Sequence, residues 1–366
     1  MKRVNKYILY MFLILLYLPS IAWFFVVDNS AYNKIDNRKL YDFPVLNIIT
    51  VKQFPENFDK YYNDHVPFRT FLINLNSIIQ YKIFGFVNSS KVVFGQNGWL
   101  FYCDKNDGDS MADYKRINQF SYSEMDKIAN KINFVKQKVE NKGAKFIYFV
   151  PPNKENVYSE YMPKGIIRAN YTPRTNQFLK YLNTKYQINT IFPFEKILLM
   201  KNKYPVYDRL DTHWSIPGAY AGTSVLLKEM EILLPDISSF HCQEVFGANN
   251  ELAKMAGFID PKQILGDSST TSVDLWKDMP IKREDISDEI TRFTNPLAES
   301  DKKVIFIGDS FRGAMMPIMA TKFKNILFIH RNSFLFDYLD SEKPDYVIYE
   351  NVERTIPDIL FYFEKF

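Results

Sequence analysis

The chain has 366 residues, of which 46% are hydrophobic and 24% charged, a balance that excludes a mostly disordered protein. Its formal net charge of +4 comes without a long basic block, so nothing in the electrostatics supports nucleic-acid binding. Two cysteines, Cys103 and Cys242, are too few for a disulfide scaffold and lack zinc-site spacing; they either pair after export or are two unrelated small residues.

The chain opens with Lys2, Arg3 and Lys6, then runs uncharged over residues 7–27 until Asp28. About 20 apolar residues span a bilayer core, whereas the apolar part of a cleaved signal peptide is about 7–15 long. The run is therefore predicted to be an uncleaved transmembrane signal anchor, with residues 1–27 forming a cytoplasmic tip and the span. The basic flank stays inside, which puts residues 28–366 outside the cytoplasm as a soluble part tethered to the cell membrane. A cleaved signal peptide is the alternative and leads to the same compartment, where cytosolic acetyl-CoA, ATP and NAD(P)H are not supplied.

Residues 28–122 read as a flanking region packed on the core. Helices are expected at about 53–61 and 68–82. Asn97-Gly98 between apolar runs predicts a tight β-hairpin over 91–102. From Ser123, a candidate helix N-cap, the pattern changes to strands alternating with helices, and residues 123–366 form the predicted catalytic domain. Strands are expected at 145–150, 188–192, 304–307, 326–329 and 346–349, and helices at about 172–186, 216–231 and 311–323. Short apolar strands joined by helical crossovers predict an α/β fold, a mostly parallel sheet flanked by helices. Residues 243–300 carry the weakest pattern and are read as an insertion.

Gly308-Asp309-Ser310-Phe311 ends a buried strand and leads into a helix. This places the Ser310 hydroxyl at the carboxyl edge of a parallel sheet, where open α/β sheets keep their ligand crevice, with helix N–H groups facing it. The plainer alternative is a serine that caps the helix. A serine nucleophile needs a base, and Asp211-Thr212-His213-Trp214-Ser215 precedes a helix that Ser215 can cap and Pro217 can start. In a loop, Asp211 can hold one ring nitrogen of His213 and leave the other to take the Ser310 proton. The alternatives are a turn-forming aspartate and a packed core histidine. A metal site lacks a third ligand at recognisable spacing, so no metal and no cofactor are expected. His65 reads as structural, His241 has no evident partner, and His330 follows a strand end that can face the same crevice but is given no role. Arg331, at the end of the next strand, is a candidate for gripping a polar or anionic substrate group, or else a solvated cation.

These residues fall in an order that resembles the SGNH-hydrolase-like O-acetyltransferases of exopolysaccharide modification, the alginate O-acetylation proteins of the AlgJ/AlgX type. The resemblance covers most of residues 35–355. It rests on Asn37-Arg38-x-Leu40, the 64–69 segment, Phe94-Gly95-x-x-Gly98-Trp99-Leu100-Phe101 and Pro152-Asn153-Lys154. It continues through Asp211-x-His213-Trp214, Leu252-Ala253-Lys254-Met255, Gly308-Asp309-Ser310-Phe311 and Tyr349-Glu350-x-x-Glu353-Arg354. It implies an SGNH-hydrolase-like fold and an Asp, His, Ser triad carried by Asp211, His213 and Ser310. It also implies a polysaccharide acceptor, and an acetyl donor delivered through a membrane-bound O-acyltransferase partner. Asn153 joins Arg331 as a candidate for substrate binding. An exported acetyl esterase using the same residues, or a non-catalytic polysaccharide-assembly subunit, is the alternative function.

Overall fold

A computed structural model describes residues 2–22, 32–33, 38–48, 50–247, 249–276 and 279–362. Its contacts divide the chain into two compact units, one made of residues 1–89 and 253–264, the other of 90–252 and 265–366. The boundary between them lies before the 92–102 hairpin.

The first unit holds α1 (Lys2–Ala22), α2 (Phe54–His65) and α3 (Arg69–Phe84). The expected bilayer span of residues 7–27 is helical as far as Ala22, and residues 23–27 lie outside the described residues. No helix among the described residues is long and apolar enough to cross a membrane. Asp64, near the end of α2, accepts the backbone N–H of Tyr41 at 2.9 Å, tying the segment after Leu40 to the helix. His65 stacks on Tyr61 with centroids 4.2 Å apart, a structural role as expected. Gly85 adopts φ 76° to stop α3, and its N–H bonds back to Tyr81. Residues 253–264 pack on α3. A Cβ at Gly257 would lie 2.4 Å from Ser77 Oγ, so only glycine allows that approach.

In the second unit Val92–Phe94 pairs antiparallel with Leu100–Tyr102, the predicted hairpin. Its connection is a 3-10 turn with Asn97 and Gly98 both at positive φ. The helix α4 (Tyr122–Glu140) starts two residues earlier than read from sequence. Ser121 is its cap, in a reciprocal capping box with Glu124.

The central sheet follows in chain order. Its strands are β1 (Lys145–Phe149), β2 (Thr190–Ile191), β3 (Lys282–Ser287), β4 (Ile290–Thr294), β5 (Ser300–Gly308), β6 (Phe323–His330) and β7 (Tyr346–Glu350). The crossover helices include α5 (Arg174–Tyr186), α6 (Ile216–Glu229) and α7 (Arg312–Ala320). The spatial order is β2-β1-β7-β5-β6-β4-β3. The first five strands are parallel, and β4 and β3 add an antiparallel edge. Part of the segment read as an insertion is thus two strands of the main sheet. Alternation along β5 explains why the sheet is covered on both faces. Val304 and Phe306 enter one apolar core with Phe149, Trp214 and Phe328, while Ile305 and Ile307 enter a second with Tyr148, Leu327 and Tyr349.

Candidate active site

Ser310 sits where β5 turns into α7, and its surroundings hold the turn from below. A Cβ at Gly308 would lie 2.3 Å from Glu350 Oε2, so glycine lets that carboxyl close under the turn. Glu350 Oε2 accepts the Asp309 N–H at 3.0 Å, and burial, followed by the Asp309 charge, pushes the Glu350 carboxyl well above its usual range. Asp309 turns away from solvent. Its two oxygens accept the N–H groups of Phe311 and Val352, each at 2.9 Å. Ser310 itself stays exposed, and its own N–H bonds to no acceptor among the described residues.

The second half of the site is the loop before α6. Ser215 caps that helix by accepting the Gly218 N–H, as its sequence position and Pro217 predict. A Cβ at Gly218 would lie 2.1 Å from Val206 O, so the loop folds back against residue 206 only with glycine there. Trp214 donates its indole N–H to Phe311 O at 2.9 Å, joining the loop directly to the Ser310 turn.

Lys154 holds the loop from the other side. Its ammonium, 2% exposed, donates to the carbonyls of Leu100, Asp208, Arg209 and Asp211 at 2.7, 2.7, 3.1 and 2.8 Å. Burial pulls Lys154 down to about 7, while four converging carbonyls favour the three donors of the charged form over the two of the amine. Arg209 completes the brace by bonding Gly98 O at 3.0 Å and Leu265 O at 2.9 Å.

Between the halves lies His213. Its Nδ1 is 2.8 Å from Asp211 Oδ1, and its Nε2 is 2.8 Å from Ser310 Oγ. With Nδ1–H donated to the carboxylate, Nε2 presents a lone pair to the hydroxyl. Burial opposes the charged form of both groups. The His213 hydrogen bond and charge nevertheless hold the Asp211 carboxyl at about 2, and Asp211 followed by Glu251 raises His213 above its ordinary value. Asp211, His213, Trp214, Asn249, Ser310, Phe311 and Ala314 line a pocket of about 290 Å3, room for a small acyl group and part of an acceptor. The arrangement suits a hydroxyl that is deprotonated as it attacks a carbonyl.

The site also contains groups that the sequence reading passed over. Glu251 Oε2 lies 3.4 Å from His213 Nδ1, and Asn249 reaches the pocket wall with its amide bonded to Asp208 at 2.6 Å. Glu251 gives the Asp211–His213 pair the third ligand-type group that the sequence spacing did not reveal. His213 Nδ1 is already hydrogen-bonded to Asp211 and faces Glu251 as an ion pair, and no cation site is assigned to these atoms.

Two expected binding residues are placed elsewhere. Arg331 is buried, with Asp309 at 3.8 Å, Asp358 at 3.5 Å and Thr355 Oγ1 accepting from it at 3.0 Å. It does not line the pocket, because its side chain turns beneath the Ser310 turn to meet these carboxylates. Asn153 is also buried. Its amide donates to Asp113 at 3.2 Å and its oxygen accepts the Arg354 N–H at 3.1 Å, so it splices the β1 end to the C-terminal segment. Cys103 and Cys242 are both free thiols. His330 faces Glu289, outside the pocket lining. Arg331→Ala is therefore expected to leave Asp309 buried without its cation and to lower unfolding stability by about 3–5 kcal/mol, measured in urea. Any activity at Ser310 should fall in step with the folded fraction; a loss of activity at native stability would return Arg331 to a binding role.

Residues 92–315 match the family described as the SGNH hydrolase-like domain of acetyltransferase AlgX, and the chain belongs to that family. Asp211, His213 and Ser310 all fall inside the matched segment. Among solved structures, a DHHW family protein from Eubacterium siraeum is 15% identical, with 74% of this chain and 98% of that chain aligned and a TM-score of 0.55. PatB1 from Bacillus cereus is 15% identical over 72% of this chain and 96% of that chain, with a TM-score of 0.52. These two likenesses show the fold. The O-acetyltransferase domain of Pseudomonas putida AlgJ aligns at 15% identity over 73% and 92%, with a TM-score of 0.47. No curated protein matches the sequence.

Proposed function

We propose that the protein is an extracytoplasmic O-acetyltransferase that carries an acetyl group on Ser310 and passes it to a hydroxyl of a cell-surface or secreted polysaccharide. The observation that carries this reading is the position of His213, 2.8 Å from both Asp211 Oδ1 and Ser310 Oγ, in a chain of the AlgX acetyltransferase family. Ser310 Oγ attacks the donor carbonyl as its proton passes to His213 Nε2, and the departing alcohol or other leaving group takes that proton. The oxyanion is met by the Ser310 N–H. An acceptor hydroxyl then attacks the acyl-enzyme and gives its proton to His213, and Ser310 leaves with it restored. Asp211 fixes the ring and stabilises the imidazolium.

The test uses an activated acetyl ester with and without oligosaccharide, followed by mass spectrometry of protein and products. Acetylated sugar formed faster than free acetate supports transfer; acetate alone with a turning-over Ser310 means that water is the acceptor and the protein is an esterase.

The basic residues before an apolar run support an anchor in the cell membrane, so the acetyl donor has to cross the membrane first, and the family resemblance implies a membrane-bound O-acyltransferase partner for that step. Reporter fusions after residue 40 are expected to be active only outside the cytoplasm. An active cytoplasmic fusion would overturn both the anchor orientation and the donor route.

A further inference from the structure

We propose that Glu251 is a second acidic partner of His213, a positioning residue whose charge beside Nδ1 adds to that of Asp211 and stabilises the imidazolium formed during acyl transfer; this rests on the reading of Ser310 as nucleophile. The geometry ranks the two carboxylates. Asp211 Oδ1 at 2.8 Å is the hydrogen-bond acceptor, and Glu251 Oε2 at 3.4 Å acts chiefly through its charge. The Glu251 segment is fixed on the same loop that carries Asp211. Its backbone N–H donates to Asp211 Oδ2 at 3.1 Å, and the next residue's N–H donates to Leu210 O at 3.0 Å. These main-chain bonds fix the Glu251 backbone beside the ring, within reach of its carboxylate.

The other groups facing His213 sharpen the argument. Ser310 occupies Nε2, and the Phe311 ring packs on the imidazole at 5.1 Å. Arg354, from the C-terminal segment, adds a positive charge that disfavours the imidazolium. Lys154 sits behind Asp211 on its carbonyl, with Asp208 on the same loop. Glu251 therefore offsets nearby cations that Asp211 alone must otherwise balance. When His213 takes the Ser310 proton, attraction to both carboxylates grows, which favours the charged intermediate over the resting state. The Glu251 and His213 side chains are both partly open to solvent, so the effect is moderated by screening.

The experiment measures kcat/KM against pH for hydrolysis of a small acetyl ester by the full chain, comparing Glu251→Gln, Glu251→Asp, Asp211→Ala and the Asp211→Ala/Glu251→Gln double variant. Glu251→Gln is expected to move the acidic limb down by roughly half to one pH unit and to lower the plateau several-fold, because His213 loses a charge that favours its protonated form. Glu251→Asp should restore part of the limb position. Asp211→Ala should keep activity about tenfold above the double variant, since Nδ1–H can turn to Glu251. An unshifted limb in Glu251→Gln, or a double variant equal to Asp211→Ala, would overturn the proposal. Ser310→Ala is the separate control: its full activity would remove the nucleophile reading itself, whereas its inactivity beside an unshifted limb counts against Glu251 alone.

Discussion

Ser310→Ala is expected to lower turnover of an activated acetyl ester by about 10^4-fold or more, with His213→Ala falling close behind. Each variant removes one end of the 2.8 Å Ser310–His213 contact on which proton transfer depends. Because the residues act as one unit, the double variant should be little worse than Ser310→Ala alone. Intact-mass analysis gives the second readout: the acetyl adduct should form on the native chain and be absent from Ser310→Ala. Activity should also decline on the acid side, where His213 takes a proton from solvent and can no longer accept one from Ser310. Since neighbouring carboxylates raise His213, that decline begins at a higher pH than for an ordinary histidine. An adduct that persists in Ser310→Ala would move the nucleophile elsewhere.

The second large effect is expected at Lys154, far less conspicuous in sequence than the serine. Lys154→Met should lower stability by roughly 3–5 kcal/mol, because four buried carbonyls lose their common donor. Three of those carbonyls belong to residues 208, 209 and 211, so the loop carrying Asp211 should loosen as well. A displacement of about 1 Å at a reacting pair can reduce rate about 10^2-fold, and a loss of that order in kcat is expected in the fraction that remains folded. Lys154→Arg should not rescue either property, since the larger guanidinium does not fit the space of an ammonium surrounded on four sides. Urea midpoints and kcat measured on the same preparations check both. A variant with native stability would show that the carbonyls find other donors.

Local pattern determined much of this protein. Apolar runs bounded by turn residues marked the strands around 145–149, 304–307, 326–329 and 346–349, because a strand covered on both faces must be apolar along its whole length. Asn97-Gly98 marked a hairpin, and Ser215 with Pro217 marked the start of α6, because caps and turns depend on a few adjacent residues. Asp211, His213 and Ser310 were readable as candidates since each lies at a strand or helix boundary where side chains reach a crevice. The edge strand β3 was not readable: all six of its residues are exposed, and the sequence Lys-Arg-Glu-Asp-Ile-Ser carries no core-facing alternation.

Only the tertiary structure decided which polar residues face the pocket. Arg331 and Asn153 stand at the sheet edge that sequence reasoning assigned to the crevice, yet each turns inward to satisfy buried partners. Glu251 and Lys154 carry no local mark of their roles, because those roles arise from groups 38 to 57 positions away in the chain, brought to contact distance by the fold. A backbone pattern records whether a residue is wanted inside or outside. Which buried charge meets which carbonyl or ring nitrogen is a property of three-dimensional packing, where an unpaired polar group is costly and the nearest partner is set by the fold and not by the sequence beside it.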